Sequence, residues 1–299
     1  MMDWIRLTGQ STVNVKHSLR IEPDSTPYRG TFGDPRPPAL DRLALPPAAM
    51  PARQRLRPLK SWRYVGVYGP ELMLCLGAVR IGRARQAFWA VWDRAERRLY
   101  ERTVIGRSPI TLETGRARLF DRAVQIDLSL IETPGIETVC TTGDSYAWTR
   151  KQGGIRAYGT VAIGGRPRLL DARAVIDDTA AYYARHTTWR WSAGVGVAVD
   201  GRGVAWNLVS GVNDPAHNSE RTVWVDGEPS EAGPSIFAGD LSRVGELCFA
   251  AEAERANEDN LLLVRSRYRQ PFGTFSGKLP GGAVLAEGYG VMEEHDVYW

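Results

Sequence analysis

The sequence is poor in lysine, and its basic residues do not cluster. Four lysines stand against 34 arginines in 299 residues, and short basic stretches such as RLRPLKSWR are broken by apolar residues. A nucleic-acid-binding domain normally carries a basic face or a recognisable motif. No nucleic-acid partner is therefore predicted.

Cysteine and histidine are equally scarce, which argues against a metal centre. A metal site needs clustered ligands, but the cysteines have no CxxC spacing and the histidines are dispersed. Odd, widely spaced cysteines are typical of reduced thiols in a cytoplasmic protein. We predict neither a metal nor another cofactor. The cysteines are Cys75, Cys140 and Cys248, and the histidines are His17, His186, His217 and His295.

Several familiar patterns are missing. GVGVAV and GRGVAW lack the third glycine of a dinucleotide loop, and GxxxxGK[ST], HExxH and GxSxG do not occur. The first residues lack the apolar core of a signal peptide, and no apolar run approaches the roughly 20 residues of a membrane span. A cytoplasmic location is expected.

The sequence does contain many short strand patterns. Residues 1–60 form a proline-rich arm, since half of the 18 prolines lie between residues 20 and 60. From residue 61, alternating apolar runs recur between Gly, Asp, Pro and Arg turns, the spacing of an antiparallel meander. We predict an all-β protein with two tandem antiparallel, lipocalin-like barrels or half-barrels, because closure removes free edges. The predicted domains are 61–176 and 177–299.

DDTAAYYARHT interrupts this rhythm and predicts a short helical hinge, with Asp177 or Asp178 as its N-cap. On a helix, Asp178, Tyr182 and His186 would lie on one face at i,i+4 spacing. They are a candidate proton relay at a domain junction. The alternative is an N-cap with tyrosine packing.

WRWSAGVGVAVDGRGVAWNLVSG predicts a hairpin that turns at residues 200–203. Pairing Val199 with Val204 places Trp189, Trp191 and Trp206 on one apolar face. Asn207 then lies on the other face beside glycines that leave a hollow. Either face is a candidate wall of a ligand pocket.

The segment GVNDPAHNSER predicts a loop at the mouth of the β-structure. Asn213 and Glu220 are candidate ligand-binding residues there. An ordinary loop with Asx-turn chemistry is the alternative.

The ending GYGVMEEHDVYW predicts a strand. Alternation places Glu293 and His295 on one face within an apolar frame, and Glu294 and Asp296 on the other. Partial burial would raise the pKa of Glu293 and lower that of His295, bringing both towards neutrality, where acid–base catalysis is efficient. A buried structural pair is the alternative.

The segments WRWSAGVG, WNLVSGVND, NSERTVWVDG, RQPFGTFSG and GVMEEHDVYW together resemble the bacterial family called domain of unknown function 2804, from about Trp62 to Trp299. That family is similar in layout to a two-barrel, lipocalin-like clan of carotenoid hydratases and cofactor-free cyclases. The resemblance implies binding of an elongated hydrophobic molecule between or inside two barrels.

Two functions are consistent with these patterns. The first is a cofactor-independent hydratase, cyclase or isomerase acting on a polyene, lipid or polyketide, with Glu293 and His295 as acid and base. The second is a non-catalytic carrier in which the same groups anchor the ligand. A purely structural module with filled barrels is a third alternative. The sequence does not indicate an oligomeric state.

Overall fold

The computed structural model describes residues 27–142, 144–261 and 264–299, and these residues form an almost entirely β protein. His17 and the rest of the first 26 residues lie outside the described part. The only helical element found in the described ranges is a 3-10 turn at Pro38–Leu40. The predicted all-β fold with two curled antiparallel sheets is confirmed.

The first sheet contains eleven of the described strands and curls around an apolar core. Its order is β7-β6-β5-β4-β13-β12-β10-β9-β8, with β11 joining β12 to β1. The strands are β1 (Tyr28–Thr31), β4 (Lys60–Tyr68), β5 (Leu72–Ile81), β6 (Ala84–Asp93), β7 (Arg98–Ile105), β8 (Ile110–Glu113), β9 (Arg116–Phe120), β10 (Val124–Leu130), β11 (Ile136–Thr142), β12 (Ser145–Ile163) and β13 (Arg166–Ala181). A separate small hairpin pairs β2 (Arg53–Gln54) with β3 (Arg57–Pro58).

The second sheet contains eight described strands in the order β17-β16-β15-β14-β21-β20-β19-β18. They are β14 (His186–Ala198), β15 (Gly203–Ser210), β16 (Thr222–Val225), β17 (Glu228–Glu231), β18 (Arg243–Val244), β19 (Leu247–Leu261), β20 (Val264–Lys278) and β21 (Val284–Tyr298). The last strand therefore lies in the middle of its sheet, between β14 and β20.

The predicted helical hinge is wrong. Asp177 and Asp178 lie in β13, which continues to Ala181, and only residues 182–185 connect it to β14. Asp177 is directly opposite Lys151 on β12, so pairing across the sheet overrides the local helical preference. Asp178, Tyr182 and His186 consequently do not share a helical face.

The predicted register of the β14–β15 hairpin is also wrong, by three residues. Val197 pairs with Gly203, and Gly194 pairs with Trp206. An odd shift moves every side chain of a strand to the opposite face. Trp206 therefore lies on the face away from Trp191, and its ring fills the hollow predicted beside Gly194, where an added Cβ would meet it at 2.2 Å.

The described part of the arm packs on one end of the first sheet. Tyr28, on β1, pairs with Val139 on β11, and apolar arm residues surround Leu45 and Tyr182. The arm thus covers β11–β13 from outside, and its Arg29 reaches the second sheet, donating to Ser219 O at 2.6 Å and to Thr222 Oγ1 on β16 at 3.0 Å.

The two sheets face each other across a mixed aromatic and aliphatic core. Even-numbered residues of β4, including Tyr64 and Tyr68, belong to this shared core, whereas Val65 and Val67 point into the first sheet's own core. Gly153 on β12 lies directly against Trp224 of β16, 2.3 Å from the position that a Cβ would occupy. The remaining space between the sheets forms a cavity.

Candidate functional site

The cavity has a volume of about 170 Å³ and lies between the two sheets. Its walls are mostly aromatic, with a smaller number of buried polar groups. The aromatic lining consists of Trp62, Tyr64, Phe88, Tyr183, Trp189, Trp191, Tyr268 and Trp299. An apolar pocket with a few convergent polar groups is the usual form of a small-molecule site.

Glu293, on β21, presents a buried carboxyl to this cavity. Its Oε1 accepts a hydrogen bond from Trp189 Nε1 at 2.7 Å. Its Oε2 accepts from Gln270 Nε2 at 2.8 Å and from the Tyr268 hydroxyl at 3.2 Å. Burial raises the pKa of Glu293 to about 7, against the stabilising hydrogen bonds of Trp189 and Tyr268. The carboxyl can therefore both accept and donate a proton near neutral pH.

His295 lies on the same face of β21, as the alternation predicted. It is opposite Trp189 on β14 and Tyr268 on β20, and Ser266 Oγ lies 2.7 Å from its Nε2. Burial, followed by the positive charge of Arg255, lowers the pKa of His295 to about 3. The predicted shift towards neutrality is thus right for Glu293 and wrong for His295. The ring stays uncharged at neutral pH and offers hydrogen bonds.

A second polar group in the cavity wall is an ion pair between neighbouring strands. Lys151 Nζ lies 2.5 Å from Asp177 Oδ1, and the two residues are register partners on β12 and β13. Thr179 Oγ1 and Trp62 Nε1 donate to the two oxygens of Asp177, at 2.8 and 3.2 Å. Burial opposes the charge of Lys151, but the carboxylates of Asp177 and Glu220 outweigh it and raise its pKa.

Glu220 completes this second group from the loop that precedes β16. Its Oε2 lies 3.4 Å from Lys151 Nζ and accepts a hydrogen bond from Asn213 Nδ2 at 3.1 Å. Asn213 Nδ2 also donates to the Tyr183 hydroxyl at 2.6 Å. Burial raises the pKa of Glu220 to about 7, and the positive charge of Lys151 opposes that rise. The cavity therefore contains two carboxyl groups that titrate near neutrality.

Six of the residues predicted from the sequence come together around this cavity. They are Trp189, Trp191, Asn213, Glu220, Glu293 and His295. Glu294 and Asp296 point away from it, as predicted, and pair with Arg190 and His186.

The other five predicted residues lie elsewhere. Asp178 pairs with Arg63, with 2.7 Å between Oδ2 and Nη1. His186 is exposed and stacks on Tyr298. Tyr182 packs against the arm and donates its hydroxyl to Pro51 O. Trp206 belongs to the core on the far face of the second sheet. Asn207 sits behind Trp191, accepting its indole N–H at 2.8 Å.

Several residues of the site were not predicted from the sequence. Lys151 carried a usable signal, because it is one of only four lysines and lies within a strand pattern. Asp177 was interpreted as an N-cap. Trp62, Arg255 and Tyr268 reach the cavity through pairings between distant strands, which no local pattern reports, and Tyr183 reaches it from the connection between β13 and β14.

Two kinds of feature were sought among the described residues, a metal-binding group and a membrane-spanning helix. No three His, Cys, Asp or Glu side chains come together there in a group able to hold a metal ion. The same part of the chain has no helix of the length and apolarity needed to cross a membrane.

Solved structures that the chain matches include a protein described as a putative AttH from Nitrosomonas europaea. It is 14% identical to this chain, with a TM-score of 0.48, and the match covers 84% of this chain and 98% of the AttH chain. Kievitone hydratase from Nectria haematococca is 9% identical, with a TM-score of 0.44 over 80% and 88% of the two chains. CghA with Sch210972 is 9% identical, with a TM-score of 0.38 over 84% and 93%.

A search of curated proteins found no match to the chain. The resemblance noted in the sequence, in contrast, is confirmed by a family model. The model described as Domain of unknown function (DUF2804) matches residues 106–299, which is more than half of the chain, and the protein belongs to that family.

Proposed function

We propose that the protein is a cofactor-independent acid–base enzyme that acts on a small, largely apolar molecule bound between its two sheets. Glu293 is the residue that exchanges a proton with the substrate. Trp189 and Trp191 form part of the apolar wall, and Asn213 orients a polar group of the ligand.

One observation carries this proposal. Glu293 is a buried carboxyl that faces an aromatic cavity and has a pKa of about 7. The groups that the structure places within hydrogen-bond distance of its oxygens, on Trp189, Gln270 and Tyr268, are all neutral. Ion pairing normally holds a structural carboxyl in its charged form, whereas neutral donors leave Glu293 free to change protonation state.

The role proposed for His295 is to donate or accept a hydrogen bond while neutral, rather than to act as a base. Its low pKa makes it a weak base, but an uncharged imidazole can polarise a substrate carbonyl or hydroxyl. Ser266, at 2.7 Å, fixes the orientation of the ring.

The volume favours a compact substrate over an elongated one. An apolar cavity of about 150 Å³ holds a benzene-sized molecule, and this cavity measures about 170 Å³. A single ring with one or two oxygen substituents therefore suits it better than a polyene or a fatty chain.

Binding is tested first by tryptophan fluorescence, since Trp62, Trp189 and Trp191 line the cavity. We expect saturable changes with ring-sized ketones and phenols, and none with long-chain fatty acids. A response to fatty acids alone would contradict the compact-substrate assignment.

Turnover is tested next with Glu293→Gln, which should keep the affinity for these probes and lose their conversion. Glu287→Gln is the matched control, because Glu287 is an exposed carboxylate on the same strand, outside the cavity lining. Equal binding without conversion by the unaltered protein would indicate a carrier instead of an enzyme.

A further inference from the structure

The cavity contains a second carboxyl environment that the role of Glu293 does not use. Glu220 is fully enclosed with Lys151, Asp177 and Asn213, yet it lines the same cavity as Glu293. A buried ion pair between Lys151 and Asp177 would be complete without it, because the two unit charges already balance. Glu220 is thus an extra ionisable group placed beside a neutralised pair.

We propose that Glu220 is the proton-transfer partner of Glu293, so that one carboxyl gives a proton to the substrate as the other removes one. This inference rests on the proposed function and extends it to a substrate class, ring-sized unsaturated ketones, and to a reaction, the shift of a proton along a conjugated system.

The two carboxyls belong to separate hydrogen-bond networks, which allows them to hold opposite protonation states. Glu220 is bound by Asn213 and Lys151, whereas Glu293 is bound by Trp189, Gln270 and Tyr268. The negative charge of Asp177 raises the pKa of both. A negative charge beside both carboxyls favours the protonated form of each without linking their two titrations.

Each carboxyl also has its own route for proton exchange with solvent. Asn213 and Tyr183, beside Glu220, line both the cavity and a surface pocket next to residues 211–215. Trp189 and His295, beside Glu293, line both the cavity and a different surface pocket next to Arg267 and Arg269. The two pockets adjoin at Thr188 and Gly211, so the acid and the base would be reset through neighbouring openings.

The reaction balances without a co-reactant. With cyclohex-3-enone, the Glu293 carboxylate removes a proton from the carbon between the carbonyl and the alkene. The C–H electron pair forms a new double bond to the carbonyl carbon, and the Glu220 carboxyl protonates the oxygen. The protonated Glu293 then returns its proton to the far alkene carbon while Glu220 recovers the hydroxyl proton. The product is cyclohex-2-enone, an isomer, and both carboxyls regain their starting states.

Other ionisable groups lie around Glu220 and Glu293 and influence the pH range over which the two carboxyls change protonation state. Around Glu220 they are Arg29, Cys140, Lys151, Asp177, Tyr183 and Arg221. Around Glu293 they are Tyr68, Cys75, Asp177, Arg255, Tyr268 and, two residues along the strand, His295. In these surroundings burial raises the pKa of Glu220 and of Glu293 to about 7.

The test follows the rise of conjugated-enone absorbance when cyclohex-3-enone is added to the protein, between pH 5 and 9. The unaltered protein should give a bell-shaped dependence of kcat centred near pH 7, because the base must be ionised and the acid protonated. Glu220→Gln should lower kcat by about 10²-fold or more and remove the high-pH limb. Glu220→Asp, which keeps an acid, should retain that limb at a reduced rate.

Glu228→Gln is the matched control, since Glu228 is an exposed carboxylate on β17, and far-UV circular dichroism checks that each variant is folded. Retention of full activity and of the bell shape in Glu220→Gln, with Glu293→Gln inactive, would overturn the role of Glu220 and leave the proposed function standing. No conversion by the unaltered protein, or equal conversion by Glu293→Gln, would overturn the proposed function itself. An unfolded Glu220→Gln leaves the decision to Glu220→Asp, whose loss of the high-pH limb would also overturn the pairing.

Discussion

The indole rings of Trp62 and Trp189 lie parallel to within 9°, with their centroids 6.4 Å apart, although they come from different sheets. Each donates its N–H to a carboxylate in the cavity wall, Trp62 to Asp177 and Trp189 to Glu293. The two stacked rings therefore form an apolar surface that runs from Asp177 to Glu293. A ligand lying along these rings would have hydrogen-bonding groups near both of its ends.

Removing the charge at position 293 should change how stability depends on pH. The pKa of Glu293 in the folded protein, about 7, is above its ordinary value of 4.5. Its contribution to stability is therefore fully present below pH 4.5 and is lost as the pH rises through 7. Glu293→Gln should avoid that loss. Relative to the unaltered protein, its free energy of unfolding should rise by up to about 3 kcal/mol between pH 4.5 and pH 8.

Urea unfolding of both proteins at pH 4.5 and pH 8 measures this difference. Glu220 titrates in both proteins and cancels in the comparison. An equal stability difference at the two pH values would show that Glu293 has an ordinary pKa.

Loss of the indole donor should raise the pKa of Glu293 further. Trp189 Nε1 stabilises the ionised carboxylate through a 2.7 Å hydrogen bond. A hydrogen bond to a charged group contributes about 1.5–3 kcal/mol, so Trp189→Phe should raise the pKa of Glu293 by about one to two units. Carbon-13 NMR titration of labelled glutamate carboxyls measures it. Trp206→Phe is the control, because the Trp206 indole donates to Ser192 on the opposite face, and a like shift in that variant would contradict the assignment.

Acid should destabilise the protein through His295. Its folded pKa of about 3 is below its ordinary 6.5, so the unfolded chain takes up a proton that the folded protein resists. Stability present above pH 6.5 is lost as the pH falls towards 3. His295→Asn should therefore raise the free energy of unfolding at pH 4.5, relative to that at pH 8, by about 3 kcal/mol.

Acid unfolding followed by circular dichroism checks this expectation. His186→Asn is the matched control, since His186 is exposed and pairs with Asp296 at the surface. A larger effect at position 186 than at 295 would contradict the buried, uncharged state of His295.

Truncating Lys151 should destabilise the fold strongly. Lys151→Met leaves the carboxylates of Asp177 and Glu220 buried without a counter-charge, and breaking a buried pair in this way costs about 3–5 kcal/mol. Adding Asp177→Asn to the variant removes one of those charges and should restore part of the loss. A double-mutant cycle from urea unfolding measures the coupling, and strictly additive effects would show that the pair is not coupled.

Strand periodicity predicted the parts of the site that depend on one strand alone. Alternation along residues 290–299 placed Glu293 and His295 together, because side chains on a strand have a fixed period of two. Hairpin register depends on how many residues the turn consumes, and strand β14 ends at Ala198, earlier than the Asp200-Gly201 signal indicated. Trp206 and Asn207 were therefore assigned to the wrong faces.

Pairings between distant strands were beyond the reach of local patterns. The residues around Asp177 have the composition of a helix start. Asp177 is nevertheless held in β13 by its ion pair with Lys151, which is 26 positions earlier and opposite it in the sheet. The pKa of His295 depends on burial and on Arg255, neither of which is readable from the ending of the chain. The predicted all-β class is confirmed because it depends on many repeated strand patterns and not on any single one.

Gly153 lies where β12 meets the second sheet, and replacing it tests how tightly the two sheets fit. Gly153→Ala brings a Cβ against the ring of Trp224 and should destabilise the protein by about 1–3 kcal/mol through overpacking. Gly233→Ala is the control, since nothing lies within 4 Å of its added Cβ. Thermal unfolding of the two variants makes the comparison, and equal midpoints would show that the contact yields freely.

The contact between Gly153 and Trp224 also acts as a spacer between the two walls of the cavity. Neither residue lines the cavity, but Gly153 is two positions from Lys151 on β12, so the contact bears both on the gap between the sheets and on the placement of Lys151. The separation of the two cavity walls is thus tied to one glycine–indole contact that lies outside the cavity lining.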